Sequence, residues 1–288
     1  MLKFPIWGEH ILAIEQLYKG EFAMIKWIIS DMDGTLLIDH NRLPGDFDEV
    51  MSLMKEHGIM FSPASGRQYQ ALVSQFAKYK DELLFISENG TYVCRHGKEL
   101  FSSVLPKSAV DFILGQMHRW PDISIVLSGK HGGYVTSDDP VFHREMDLYY
   151  THYKMVKDFS EVDDEIIKIA ICDSHQRNIR PRVYDVLKPA CKDAQVVLSN
   201  EIWVDIVPLG ASKGTAIRQL QKDLGIKPEE CAAFGDYLND KEMLQSVYYS
   251  YAMGDAIDEI KKTARFTTAP HDQNAVMDTI RKLIAENK

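Results

Sequence analysis

"WIISDMDGTLL", residues 27–37, sets an apolar, β-forming run against two aspartates one residue apart and a glycine. Trp27, Ile28 and Ile29, with Gly34 as punctuation, predict a buried strand that ends in a turn. If the strand continued, Asp31 and Asp33 would share a face; a turn after Asp31 would swing Asp33 round. In either geometry both carboxylates reach one small volume. Two anions that close raise each other's pKa unless a cation sits between them. Mg²⁺ answers that description, because it prefers oxygen ligands and commonly combines one or two carboxylates with waters and substrate phosphate oxygens. Solvated turn aspartates, common at strand ends, are the plainer alternative.

The 288 residues suffice for one large or two ordinary domains, and 45% hydrophobic residues supply a sizeable core. A formal charge of −9 repels polyanions, which argues against nucleic acid or an anionic membrane surface as partner. A small anionic substrate would need its own local cations. Cys94, Cys172, Cys191 and Cys231 show no paired spacing of the zinc or redox-dithiol kind and are expected as buried free thiols in a reducing compartment. No apolar stretch approaches the ~20 residues of a spanning helix. The N-terminus has no basic region leading into an apolar one. A cytoplasmic location is therefore expected. The histidines form no ligand-spaced motif, and His96, His131, His143 and His152 read as polar surface or cap positions.

Phe47, Val50, Met51 and Met54 repeat at i, i+3, i+4, i+7 before Gly58, which predicts a helix over 46–57. A short strand at 59–62, a helix carrying Tyr69, Leu72, Val73 and Phe76, and the strand "LLFIS" at 83–87 follow. Strands alternating with helices imply parallel βαβ units. After "SENG" at 87–90 the rhythm changes to short strand-like runs, "TYVC", "ISIVLS", "YVTS" and "IIKIAIC", with helices near 107–118 and 176–189, as in a separate α+β module. The alternation is expected to return with "VDIVP", a helix from Lys213, "CAAFGD", "YSYAMG" and a last helix carrying Val276, Ile280, Leu283 and Ile284. The expected organisation is a core at 24–90 and 201–288, interrupted by a second module at 91–200. Residues 1–23, with Ile11, Ile14 and Leu17 at helical spacing, are expected to be an extension: an accessory helix, or a misplaced start ahead of Met24.

In open α/β sheets ligands bind beyond the carboxyl ends of strands, and four stretches fall there. "DMDGT" (31–35) is the first. In "SPASGR" (62–67), Ser65 and Gly66 lead into a predicted helix start, where backbone N–H groups and a hydroxyl can hold an anion; a simple N-cap is the alternative. Lys213 in "LGASKGT" opens a helix and can serve as a point cation for phosphate; a solvated lysine, the usual case, is the alternative. "FGDYLND" (234–240) gathers Asp236, Asn239 and Asp240 as a second source of metal ligands, or as an acidic helix cap.

In this order the four stretches resemble the haloacid dehalogenase superfamily of phosphohydrolases. The inserted module, "SENG" and "YAMG" look like its Cof-like branch, known for sugar-phosphate phosphatases with a large α+β cap. The resemblance spans residues 25–286 and implies a Rossmann-like parallel sheet core with an inserted α+β cap. It further implies Asp31 as nucleophile and carrier of an aspartyl-phosphate, and Asp33 as general acid/base. Met32, Ser65, Gly66, Lys213 and Asn239 would hold the phosphoryl group. Asp31, the Asp33 carbonyl and Asp236 would hold Mg²⁺. Tyr237 stands where the branch often has glycine, and "NAV" at 274–276 replaces a more usual glycine-valine ending. The implied activity is Mg²⁺-dependent hydrolysis of a small phosphorylated metabolite, a sugar phosphate foremost. The alternatives are a phosphohexomutase and a non-catalytic phosphometabolite-binding protein; the presence of Asp33 argues against the last, because a binder needs no proton donor.

Overall fold

The computed structural model describes residues 24–39 and 41–286; the expected extension at 1–23 lies outside the described residues. Trp27–Ser30 (β1) is buried along its whole length, as its uninterrupted apolar run requires of a strand covered on both faces. Phe47–Glu56 (α1) follows and buries the four residues at helical spacing. Met60–Pro63 (β2) then runs parallel to β1, with Trp27 opposite Met60 and Ser30 opposite Pro63. Tyr69–Gln75 (α2) leads to Leu84–Ser87 (β3), which is joined to the end of β2 by a parallel bridge between Ala64 and Ile86.

The chain then turns back on itself. Tyr92–Arg95 (β4) and Lys98–Ser102 (β5) extend β3 as a small antiparallel sheet, so "TYVC" pairs with a core strand and not with the inserted module. Beyond Lys107–Gln116 (α3), a separate six-stranded sheet forms. It comprises Ser124–Gly129 (β6), Gly132–Val135 (β7), Tyr153–Met155 (β8), Ile166–Cys172 (β9), Ala194–Leu198 (β10) and Trp203–Pro208 (β11) in the order β10-β11-β9-β6-β7-β8.

Here one expectation is corrected. "VDIVP" does not restart the parallel core; it lies in β11, antiparallel to both β9 and β10, with Asp205 opposite Ala170 and Val197. A buried run of this length carries no sign of which sheet takes it, and the following "LGASKG" turn, not the strand, returns the chain to the core. The helix expected near 176–189 forms over residues 180–190, with Arg180–Tyr184 as a wider π-helical turn running into an α-helix at Asp185–Ala190. A helix at Pro140–Met146 was unexpected: Asp139 caps it by accepting from the Val141 amide, and Pro140 opens it.

Lys213–Leu224 returns the chain to the core, capped by Ser212 and Thr215 at its start and by left-handed Gly225 at its end. Cys231–Gly235 pairs parallel to the free side of β1, followed by Tyr249–Ala252 and the short edge strand Phe266–Thr267. The core sheet is thus five parallel strands with β1 between β2 and Cys231–Gly235, and Ala275–Glu286 closes it with Val276, Ile280, Leu283 and Ile284 buried. All four cysteines are free and buried. Among the described residues no helix is long and apolar enough to cross a membrane.

The helix that begins at Lys213 is held against Lys241–Gln245 at van der Waals distance. A Cβ on Gly214 would lie 2.3 Å from the Glu242 carbonyl oxygen, so the helix cannot carry a side chain there without moving. Gly214→Ala gains at most about 1 kcal/mol of helix propensity. It meets backbone, not a flexible side chain, and overpacking of that kind costs about 1–3 kcal/mol. The expected outcome is net destabilisation in chemical denaturation; an unchanged or raised midpoint would contradict the packing.

Candidate active site

Asp31 sits on the residue after β1, its amide donating to the Phe234 carbonyl on the neighbouring strand at 3.0 Å. The chain then turns: Gly34 adopts φ +74°, and a Cβ there would lie 2.6 Å from Asp236 Oδ2, so both the conformation and the contact call for glycine. Thr35 Oγ1 donates to Asp236 Oδ1 at 2.9 Å. The first and fourth stretches are therefore knitted together, although 201 residues separate Thr35 from Asp236.

Lys213 is fully buried at the start of its helix. Its ammonium donates to Asp31 Oδ1 at 2.5 Å and to Asp240 Oδ1 at 2.7 Å. Burial works against the charged ammonium, but Asp240 and Asp31 outweigh it and push the lysine above its ordinary range. The second oxygen of Asp240 accepts the amides of Asp236 and Tyr237 at 3.0 and 3.2 Å. Asp240 thus caps its own turn, as the plainer reading had it, and holds Lys213 as well.

Asp31, Asp236 and Asp240 each place an oxygen within 4.8 Å of the others. Burial, then the Asp240 charge, raises Asp31 to about 7 despite Lys213. Burial and the Asp31 and Asp240 charges raise Asp236 well above the carboxylate range. One lysine does not balance three acids, two of them buried and Asp236 half-buried, and the cluster has the composition of an oxygen-donor cation site.

Ser65 and Gly66 follow β2 in a turn in which the Ser65 amide donates to Ile86 and Ser65 Oγ accepts the Arg67 amide at 3.1 Å. The predicted helix start at this point is corrected: the helix begins only at Tyr69, so Ser65 is not its N-cap and the amides here belong to a turn. Arg67, which the sequence reading passed over, makes a two-pronged pair with Asp33, Nε to Oδ2 at 2.8 Å and Nη2 to Oδ1 at 2.5 Å. Its guanidinium also lies 5.4 Å from the centre of the Tyr149 ring, which comes from the inserted module.

A cavity between the two modules unites these groups. Asp31, Asp33, Ser65, Gly66, Arg67, Asp236 and Asn239 line its floor, with Tyr149, Tyr150, Lys168, Asn200, Trp203 and Asp205 opposite and Tyr237 beside them. Met32 and Lys213 are buried behind this wall. Of the predicted site residues, Asp31, Asp33, Ser65, Gly66, Asp236 and Asn239 therefore meet in one cavity, with Lys213 bonded to it through Asp31. The opposing residues went unread, yet Lys168 in "IIKIAIC" and Asp205 in "VDIVP" each carried a signal: a lone charge inside an apolar strand.

Comparison with known proteins agrees with this architecture. The model of the haloacid dehalogenase-like hydrolase family matches residues 28–280. A 5-amino-6-(5-phospho-D-ribitylamino)uracil phosphatase of Escherichia coli (strain K12) is 32% identical over 263 residues, covering 90% of this chain and 96% of its own. An HMP-PP phosphatase of Klebsiella pneumoniae (strain 342) is 28% identical, over 83% of this chain and 87% of its own. A crystal structure from Streptococcus mutans UA159 superposes with a TM-score of 0.83 at 25% identity, covering 91% of this chain and 99% of that one. With a parallel sheet whose interior strand β1 delivers Asp31 to the cavity, and a second module on the cavity's other side, the chain belongs to the haloacid dehalogenase-like hydrolase family and is a phosphoric monoester hydrolase.

Proposed function

We propose that the protein is a Mg²⁺-dependent phosphatase of a small phosphorylated metabolite, acting through a phosphoryl group carried on Asp31. The observation that carries the reading is the bond from Lys213 to one oxygen of Asp31 within a cluster of three acids. One oxygen is thereby neutralised and positioned, and the second is left for phosphorus.

The residues fit a magnesium ion by their chemistry, since they offer hard oxygen donors and an uncompensated negative charge. Asp31, Asp236 and the Asp33 main-chain carbonyl would hold it. Asp240 would not, because Lys213 and two amides already occupy its oxygens. When bound, the ion supplies positive charge against the phosphoryl oxygens.

The chain's own groups carry the steps. Asp31 attacks phosphorus, the bond to the ester oxygen breaks, and Asp33 gives that oxygen a proton. Asp33 then takes a proton from water, whose oxygen attacks phosphorus and returns Asp31 as carboxylate with release of inorganic phosphate. Both Asp33 oxygens are bonded to Arg67, so proton delivery requires one to come free; the incoming leaving group displaces that contact. Met32 and Gly66 amides, the Ser65 hydroxyl and Asn239 hold the equatorial oxygens, and positioning with charge stabilisation is most of what phosphoryl transfer needs. The charged, amide and aromatic groups opposite suit a small polar leaving group. The named substrates of the two phosphatase relatives make small phosphorylated metabolites the first class to test; we place sugar phosphates among them from the family resemblance alone.

Asp31→Asn keeps the shape and removes the nucleophile. Phosphate release is expected to fall by more than about a thousandfold while the far-ultraviolet circular dichroism stays unchanged; retained turnover would sink the assignment. Chelation by EDTA is expected to abolish release and to lower the thermal midpoint, with added Mg²⁺ restoring both, because a cation bound only by the folded state stabilises it. Activity that survives exhaustive chelation would exclude the metal.

A further inference from the structure

The "SENG" stretch at 87–90 takes no part in these steps, yet it stands where the two modules meet. Glu88 and Asn89 are buried and both adopt positive φ, 52° and 58°, which is uncommon for residues with side chains. At Gly90 a Cβ would lie 2.4 Å from the Ser212 carbonyl oxygen, so the turn abuts the start of the Lys213 helix. A Cβ on Gly66 would lie 3.1 Å from Asn89 Oδ1, so the turn abuts the phosphate side of the cavity too.

Two side chains of the inserted module grip consecutive residues of this turn. Lys168 pairs with Glu88 at 2.6 Å and donates to the Gly66 carbonyl at 2.5 Å. Asp205 accepts Asn89 Nδ2 at 2.6 Å, and Ser199 Oγ donates to the same Asp205 oxygen at 2.5 Å. The other end of the Asn89 amide, Oδ1, accepts Asn239 Nδ2 at 3.1 Å.

The order of donors in this chain is dictated by its first member. A carboxylate accepts and cannot donate, whereas an amide does either according to how it is turned. Asp205 therefore turns the NH₂ of Asn89 towards itself, which turns the Asn89 carbonyl towards Asn239. Asn239 must answer with its own NH₂. That nitrogen has a second hydrogen, and Asn239 lines the cavity. With the order reversed, Asn239 would show a carbonyl oxygen to a phosphoryl group and repel it.

We propose that Asn89 is a positioning residue which passes the acceptor-only character of Asp205 to Asn239, so that Asn239 presents N–H to the phosphoryl group. The inference rests on the phosphatase reading for the identity of the ligand. It joins a strand of the inserted module to a phosphate contact of the core through two amides.

The test measures binding of inorganic phosphate by calorimetry in Mg²⁺, beside phosphate release from p-nitrophenyl phosphate, with thermal unfolding of each protein. Asn89→Asp sets two carboxylates face to face and is expected to weaken phosphate binding by about tenfold or more. Adding Asp205→Asn is expected to restore affinity to within about threefold of wild type, because the amide introduced at 205 donates to the carboxylate at 89, which still accepts from Asn239. Asn89→Ala is expected to stay about tenfold weak in both backgrounds, since nothing then accepts from Asn239. The alanine variant separates the acceptor from mere relief of repulsion. Wild-type affinity in Asn89→Ala in either background, or no recovery in the Asn89→Asp, Asp205→Asn double variant, would each overturn the relay. If Asn89→Asp alone does not fold, the double variant compared with Asn89→Ala in the Asp205→Asn background decides the same question. The expected binding pattern without hydrolysis of any ester would overturn the phosphatase reading alone; hydrolysis without the pattern would overturn the relay alone.

Discussion

The site depends on one buried cation held between two acids that come from different parts of the chain. Lys213 has no contact with solvent, and its ammonium is bonded to Asp31 at the end of β1 and to Asp240 beyond the neighbouring strand Cys231–Gly235. An ammonium carried into the interior alone would shed its charge. Here each partner makes the other's burial tolerable, and removing any one leaves an uncompensated charge at a cost of about 3–5 kcal/mol. Such an arrangement does not drift. The capped start of the Lys213 helix is packed on Gly90 and, through Gly214, on the Glu242 backbone, which fixes where the ammonium sits.

The same bonds leave the site short of positive charge. Asp31, Asp236 and Asp240 face one lysine, while Asp33 with Arg67 and Glu88 with Lys168 form pairs of their own. Burial raises Asp31 and Asp236, which is the energetic sign of a carboxylate pair waiting for a partner. A phosphate ester brings further negative charge to such a cavity and would be refused by the acids alone. The proposed cation resolves both difficulties at once, and the crowding of Asp31 and Asp33 in "DMDGT" then serves binding where it would otherwise oppose it.

What could be read from the sequence, and what could not, divides by the range of the signal. Phe47, Val50, Met51 and Met54 announce their helix because four residues at one spacing carry it. "DMDGT" and "GDYLND" are legible because each packs its chemistry into a few neighbouring positions. "VDIVP" was misplaced because an apolar run fits a parallel core and an antiparallel sheet equally well. Pro140–Met146 escaped because seven residues are too few to establish a period and proline reads as a break. The Arg67–Asp33 pair and the Asn89–Asp205 bond join residues 34 and 116 positions apart, and no local pattern reports a meeting at that distance. Lys168 and Asp205 were different: a charge inside an apolar strand must find a partner, and only the partner's identity was hidden.

The polar contacts between the modules are made around the cavity itself. Gln68 exchanges two hydrogen bonds with the His152 backbone, at 2.8 and 3.0 Å, and its amide donates to the Tyr149 carbonyl at 3.1 Å. Lys168 and Asp205 add their bonds to Gly66, Glu88 and Asn89. These contacts are polar, and Tyr237 and Leu238 of the core add apolar packing against the inserted module. Each of these polar contacts also lands on, or beside, a residue proposed to hold the phosphoryl group or to act as the general acid. Tyr149 lies over Arg67, Lys168 holds Gly66, and Asp205 reaches Asn239 through Asn89. The bonds that hold the two modules together are therefore the same bonds that set the residues proposed to act on phosphate.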